Sequence, residues 1–203
     1  MQAVHEPEYW RQRYQQGQTG WDLGGPTPVL VDLLARGAFP VQPPARVLVP
    51  GCGYGHDVIE LARAGYHVVG IDFAPEPLAV LSQRLPASAQ VLLRDFLTLS
   101  VEEVGLFEAI WEYTCWCAIA PADRRVYMQQ AARLLVKGGW LVGLFFPLSM
   151  GAGYVGGPPF LVDLAEVQAL AEEAGFRVRH QEQPASSHPA RAGREVLLFL
   201  EKG

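Results

Sequence analysis

The 203-residue sequence contains no asparagine, and lysine is confined to Lys137 and Lys202, so nearly all of its positive charge is arginine. That imbalance says nothing firm about stability. Cysteine is scarce: Cys52, Cys115 and Cys117 are too few and wrongly spaced for a zinc site or a disulfide framework. Burial as small apolar side chains is the expectation for them. No stretch approaches the roughly 18 consecutive apolar residues of a membrane span, and the first residues, MQAVHEPEYWRQRY, lack the basic-then-apolar profile of a secretion signal. An excess of positive charge is missing too. Sixteen basic against 21 acidic residues give a net charge of −5 and a pI near 5.5, which speaks against a nucleic-acid partner, whose footprint is a basic face. These absences lead to the expectation of a cytoplasmic globular chain of one domain, large enough to bury about 70% of its unfolded surface.

What is present is organised around Arg46 to Ala74, RVLVPGCGYGHDVIELARAGYHVVGIDFA. An apolar strand (Val47, Leu48, Val49) leads into a turn carrying Gly51, Gly53 and Gly55. A helix from about His56 to Ala64 follows, then a second apolar strand ending at Asp72. A turn of this kind needs residues without Cβ, which take positive φ and let a ligand approach backbone N–H groups. The following helix points its positive end at the same place. Asp72 lies 19 residues after Gly53, the distance at which an acid closing the second strand meets ribose hydroxyls in nucleotide-binding βαβ units. The dinucleotide fingerprint is G-x-G-x-x-G, whereas here the third glycine comes one residue early. That compact turn suits S-adenosylmethionine, which has no phosphate, better than NAD.

Before this unit lie some 40 residues that a minimal βαβ domain does not need, so residues 1–40 are expected to form a helical lid on a Rossmann-like core of residues 41–203. Pro7 to Gln16 has helical character, with Trp10 and Tyr14 four apart and hence on one face. A turn-rich segment with Trp21 and Asp22 and an apolar helix from Pro28 to Arg36 follow. Trp10, Tyr14 and Trp21 either pack the lid or present ring faces to a sulfonium cation. After Asp72 a helix from Pro75 to Leu85 precedes a strand from Gln90 to Arg94, with Asp95 and Phe96 at its end. Asp95 is placed either to hold an adenine amino group or to cap a turn. Phe107 to Tyr113 is a fourth strand, and the sulfur-rich Thr114 to Cys117 after it is expected to face the reacting centre. Pro121 to Val136 reads as a helix stopped by Gly138 and Gly139, and Trp140 to Phe146 as a fifth strand. The Gly/Pro-rich segment from Pro147 to Asp163 has the length of a functional loop. Leu164 to Glu173 reads as a helix, Phe176 to His180 and Glu195 to Glu201 as strands, and Pro184 to Arg194 as a polar loop. Seven strands result, and the final pair, joined without a helix, is expected to be antiparallel.

The motifs VLVPGCGYGHDV, TGWDLGGPTP, CAIAP and VGGPPF, considered with their positions along the chain, resemble those of the thiopurine S-methyltransferase family, and within it the plant halide and thiol methyltransferases. The resemblance implies a class I S-adenosylmethionine-dependent methyltransferase fold, an α/β seven-stranded sheet with its last strand antiparallel. It implies cofactor contacts from Trp10, Tyr14, Trp21, Gly51, Asp72, Asp95, Phe96 and Tyr113, beside the Gly53 of the turn. It implies no metal and a small-molecule acceptor, with neither nucleic acid nor membrane as partner and a monomer or weak homodimer in solution. The expected chemistry is an SN2 displacement in which a thiol, hydrosulfide, thiocyanate or halide attacks the sulfonium methyl.

Tyr113 is the expected substrate-side residue, its hydroxyl bordering the methyl. The mammalian thiopurine enzymes have an arginine at the matching place, so the loss of that charge favours a small soft nucleophile over a bulky acidic thiopurine. Glu112 is either a base for a thiol or an ion-paired glutamate, and Arg124 and Arg125 either attract anions or lie on a solvated helix face. His56 is a general base or packs the turn, and His188 and Arg191 are candidates for closing over a substrate. Two other classes stay open: an NAD-dependent oxidoreductase and a non-catalytic S-adenosylmethionine-binding protein.

Overall fold

Strands buried on both faces dominate the centre of the computed structural model, which describes residues 4–203. They are β1 (Arg46–Pro50), β2 (His67–Asp72), β4 (Phe107–Tyr113) and β5 (Leu135–Phe145). Their near-continuous apolar runs are what a parallel sheet covered by helices on both sides demands. Alternate residues feed opposite layers. Leu48 and Ile110 pack with Tyr127, Met128 and Val167 of one layer, whereas Val47, Val49, Ala109 and Trp111 pack with Leu30, Leu33, Val58 and Leu61 of the other. Each such fully buried aliphatic or aromatic side chain stabilises the fold by about 1.5–3 kcal/mol.

With β3 (Ala89–Leu93), β6 (Phe176–Glu182) and β7 (Val196–Lys202) the sheet has the order β3-β2-β1-β4-β5-β7-β6. The pairs from β3 to β5 are parallel, and β7 runs antiparallel to both of its neighbours. The order reverses between β1 and β4, which opens a crevice beyond their carboxyl ends, at Pro50 and Tyr113.

Helices α2 (Pro28–Ala35) and α3 (His56–Arg63) cover one face, and α6 (Arg124–Leu134) and α7 (Leu164–Glu173) the other. Prolines at the first turns of α1 (Pro7–Gln15), α2 and α4 (Pro75–Leu81) cost nothing there, because the N–H they remove has no partner within the helix. The N-terminal segment is tied to the core by polar links. Arg11 Nε and Gln15 Nε2 donate to Glu76 Oε1 of α4 at 3.2 and 2.8 Å. The Asp57 carboxylate of α3 accepts from the Thr27 N–H and hydroxyl, both at 2.7 Å, and from Trp111 Nε1 at 2.7 Å.

Some boundaries differ from those read in the sequence. Helix α6 ends at Leu134 and β5 begins at once, so Gly138 and Gly139 lie inside the strand rather than stopping the helix. Phe107 pairs with Leu135 and Ala109 with Trp140, so the extra residues of β5 bulge out of the ladder. A short helix α5 (Val101–Val104), absent from the sequence reading, begins at a capping box in which Ser100 and Glu103 satisfy each other's backbone N–H. Helix α4 stops at Leu81, short of Leu85.

Candidate active site

Three clefts meet around Gly51, which lines all of them. The largest, about 450 Å³, lies between the N-terminal segment, the ends of β2 and β4, and the loops after β5 and β6. Pre-formed apolar hollows of this size are typical small-molecule sites.

The glycine turn builds the floor. Cys52 N–H donates to Ile71 O at 2.9 Å and Gly55 N–H to Cys52 O at 2.8 Å, folding the loop back over the end of β2. Gly51 has φ +56° and Gly53 φ +51°, a region L side chains avoid. A Cβ on Gly51 would come within 3.0 Å of Cys115 Sγ, and one on Gly53 within 3.1 Å of the Tyr14 hydroxyl. Both therefore leave room that any other residue would fill.

Asp72 closes β2 beneath this loop and is 6% exposed. One carboxylate oxygen accepts from Gly53 N–H and the other from Ala74 N–H, both at 2.9 Å. Burial raises its pKa, opposed by those backbone N–H groups. Each oxygen keeps a lone pair for a further donor, as two vicinal hydroxyls of a ribose would supply.

Trp10, Tyr14 and Trp21 come together on the wall of the large cavity that the N-terminal segment supplies, with the Tyr14 hydroxyl reaching to Gly53. Trp21 meets Trp10 and Tyr14 edge to face, each at 5.4 Å between ring centroids, and Tyr54 adds a fourth ring 5.5 Å from Tyr14. Trp10 is held by its Nε1–H, which donates to Val4 O at 2.8 Å. Burial raises the Tyr14 pKa strongly, so its hydroxyl is a neutral donor. Such a box of ring faces suits a sulfonium.

Asp95 and Phe96 line a separate cleft with Phe73 and Tyr127 at the end of β3. Asp95 also caps the turn after it, accepting from Leu97 N–H at 2.9 Å, so both roles read from the sequence are open to it. The second small cleft contains Gly53, Tyr54, Trp21 and Tyr113. The three clefts are thus contiguous around Gly51, and Asp72 lines two of them. Among the described residues no cluster of His, Cys, Asp or Glu could hold a metal ion.

Tyr113 ends β4 with its hydroxyl donating to Glu195 Oε1 at 2.8 Å. Burial raises its pKa strongly. The next residue, Thr114, has φ +64°, rare for a β-branched side chain and typical of strain kept at a working site. Thr114, Cys115 and Cys117 line the large cavity, whereas Trp116 points into the core. Burial pushes the Cys117 thiol up to about 12 and raises Cys52 and Cys115 well above their usual range, so none of the three is a thiolate at neutral pH.

Other residues singled out in the sequence lie elsewhere. Glu112, 1% exposed, points into the α6 layer, where it accepts from Trp116 N–H at 2.7 Å and from the Tyr127 hydroxyl. It lines none of the clefts and is neither a base at the cavity nor an ion-paired surface group. Arg124 is buried against Glu166 and Leu161 O, and Arg125 pairs with Glu173, so both brace α6 on α7. His56 Nε2 sits 3.1 Å from Asp22 Oδ1, fastening the N-terminal segment over the glycine turn. His188 Nδ1 accepts from Ala190 N–H at 3.2 Å within its own loop, but Arg191 reaches the cavity wall. Tyr54, Phe73 and Phe146 also line these clefts without having been singled out. Their adjacency to Gly53, Asp72 and the end of β5 was the available signal.

A family model described as thiopurine S-methyltransferase matches residues 5–198. The chain is 36% identical over 172 residues to "Probable thiol methyltransferase 2" of Arabidopsis thaliana, covering 82% of this chain and 73% of that protein. It is 32% identical over 191 residues to "Thiocyanate methyltransferase 1" of the same plant, covering 93% and 82%. Among solved structures it resembles Burkholderia thailandensis 1,6-didemethyltoxoflavin-N1-methyltransferase. That likeness has a TM-score of 0.74 at 21% identity and covers 100% of this chain and 91% of the other.

Proposed function

The chain belongs to the thiopurine S-methyltransferase family, and from that premise we propose that its acceptor is a small soft nucleophile: a thiol, hydrosulfide, thiocyanate or halide. It is an S-adenosylmethionine-dependent methyltransferase. When bound, S-adenosylmethionine supplies a methyl group on a cationic sulfur, which a nucleophile displaces in line to leave S-adenosylhomocysteine.

The observation that carries the acceptor reading is the absence of a free base. In the second cleft, beside Tyr113, His56 and Asp22 hold each other and Asp57 is taken by Thr27 and Trp111, and the large cavity offers none. Among the described residues that line it, Asp72 is the only carboxylate, there is no histidine, and the two thiols are protonated. Asp72 is engaged by the glycine turn. An acceptor that is already anionic needs no proton removed, so positioning and desolvation suffice. Alignment of two reactants is worth roughly 7–11 kcal/mol in well-oriented cases, and a mostly apolar hollow strengthens the attraction between anion and sulfonium.

In this reading Asp72 holds the ribose, Asp95 and Phe96 the adenine, and Gly51 and Gly53 open the backbone to the amino-acid end. Trp10, Tyr14 and Trp21 face the sulfonium, and Tyr113, beside the strained Thr114, borders the methyl. Residues 1–40 serve as the cover of a single methyltransferase domain, with residues 41–203 as its core. A monomer or weak homodimer in the cytoplasm accords with the net charge of −5, and no described helix is long and apolar enough to cross a membrane.

Methyl transfer from labelled S-adenosylmethionine to iodide, thiocyanate, hydrosulfide and aryl thiols tests the reading. Labelled product from the inorganic anions is expected. Product from aryl thiols alone would move the acceptor to the thiopurine-like class, and no product from any of them would leave a binding protein without turnover.

A further inference from the structure

The turn between β4 and α6 forms part of the cavity wall, and it is gripped from behind by an acid that reaches none of the clefts. Thr114, Cys115 and Cys117 line the large cavity. Cys115 lies against Gly51, so close that a Cβ there would meet its Sγ at 3.0 Å. The turn starts at the positive φ of Thr114, a conformation that persists only where the surroundings fix it. Glu112 supplies one such fixing. One of its carboxyl oxygens accepts from Trp116 N–H at 2.7 Å and the other from the Tyr127 hydroxyl of α6. The Trp116 ring packs edge to face on Tyr127 and Phe145, at 5.5 and 5.7 Å between centroids. At the end of the same turn, Cys117 O accepts from Phe160 N–H at 2.7 Å, and Pro158 and Pro159, just before Phe160, line the cavity too. An acid in an apolar layer is costly unless its oxygens are used, and here both are.

We propose that Glu112 is a positioning residue of methyl transfer. Through Trp116 N–H it sets the turn of residues 114–117, and through Cys117 O the root of the loop of residues 147–163, so that the acceptor lies in line with the methyl. This rests on the methyl-transfer reading and adds to it a residue that touches neither reactant. Alignment is what the reaction asks of the protein when no proton has to be removed, and a misplacement of about 1 Å can cost about 100-fold in rate. The role requires an acceptor oxygen at the right reach, not a negative charge. An amide of the same length keeps that oxygen for Trp116 N–H and turns its NH2 to the Tyr127 hydroxyl oxygen. An apolar side chain of similar length fills the space but leaves Trp116 N–H without a partner.

Steady-state kinetics read the alignment, with thiocyanate as acceptor, or an aryl thiol if that alone is methylated. Glu112→Gln is expected to keep kcat within threefold of wild type. Glu112→Met should lower kcat at least tenfold, while KM for the acceptor and the affinity for S-adenosylhomocysteine both stay within threefold. Val167→Ala removes volume from a buried position of α7 in the same layer and separates alignment from loss of stability: it is expected to lower Tm and keep kcat. A tenfold loss of kcat in Glu112→Gln would make the carboxyl a charge or a base and overturn the proposal. An unchanged kcat in Glu112→Met, or an equal fall in Val167→Ala, would overturn it too. Should Glu112→Met not fold, Glu112→Thr, whose hydroxyl is too short to reach Trp116 N–H, takes its place with the same expectation. A second readout needs no turnover. With S-adenosylhomocysteine bound, iodoacetamide is expected to alkylate Cys115 and Cys117 at least tenfold faster in Glu112→Met than in wild type or Glu112→Gln, followed by mass spectrometry. Faster labelling in a protein that methylates none of the nucleophiles would uphold the grip of Glu112 on the turn and sink the acceptor reading, whereas equal labelling overturns the proposal outright.

Discussion

Single residues decide the electrostatics of this chain, and Glu112 is the clearest case. Burial pushes its carboxyl from an ordinary 4.5 up to about 7, opposed by the Trp116 N–H and the Tyr127 hydroxyl. The folded chain therefore binds this proton more tightly than the unfolded one. The associated stability is complete below about pH 4.5 and is lost as pH rises through 7, amounting to about 3 kcal/mol. Buried Asp72 shifts in the same direction. Glu112→Gln, a mimic of the neutral acid, is expected to flatten this dependence, so that urea unfolding at pH 5 and pH 8 differs less in the variant than in the wild type. An identical slope in both would remove Glu112 as its source. None of this was legible in FEAIWEY, where an acid near a strand end looks like a catalytic or surface group. Asp72 was legible, because its distance from Gly53 is a local property of one βαβ unit. The φ of Thr114 left no mark in composition or spacing.

Elements show a similar division. The glycine turn, the strands and the helices headed by proline announce themselves through short-range pattern. Helix α5 carries the Ser100-x-x-Glu103 signature as well, but its four residues are too few for an apolar period to show. The end of α6 was misplaced because Leu134, Leu135 and Val136 suit helix and strand alike, and pairing of Leu135 with Phe107 decides between them. The seating of the N-terminal segment depends on contacts far apart in sequence. Asp57 accepts three hydrogen bonds there, two from Thr27 and one from Trp111. Asp57→Ala leaves those donors unsatisfied and is expected to cost about 2–4 kcal/mol of stability. Because the same segment carries Trp10, Tyr14 and Trp21, affinity for S-adenosylhomocysteine should fall as well. Calorimetry of unfolding and of binding would test both, and a stability loss with unchanged affinity would mean that the aromatic box does not depend on this anchor.

On the scale of the whole molecule, the number of strands and the reversed β7 followed from counting elements and from the missing helix between the last two strands, whereas the order of the strands in the sheet did not. The meeting of three clefts at Gly51 did not follow, since it requires the N-terminal segment and the loops after β5 and β6 to converge on one end of the sheet. Such a site couples binding to global stability. S-adenosylhomocysteine at about one hundred times its Kd is expected to add about 2.7 kcal/mol, which for a chain of this size raises Tm by roughly 5–10 °C. NAD should leave Tm unchanged, and Asp72→Ala should shrink the shift produced by S-adenosylhomocysteine. A rise with NAD instead would restore the oxidoreductase reading.

The Trp21 carbonyl and the Arg191 side chain bind each other across 170 positions of sequence. During synthesis, then, Trp21 emerges from the ribosome long before the side chain that fastens it, and the N-terminal segment gains this tether only once the last loop has been made.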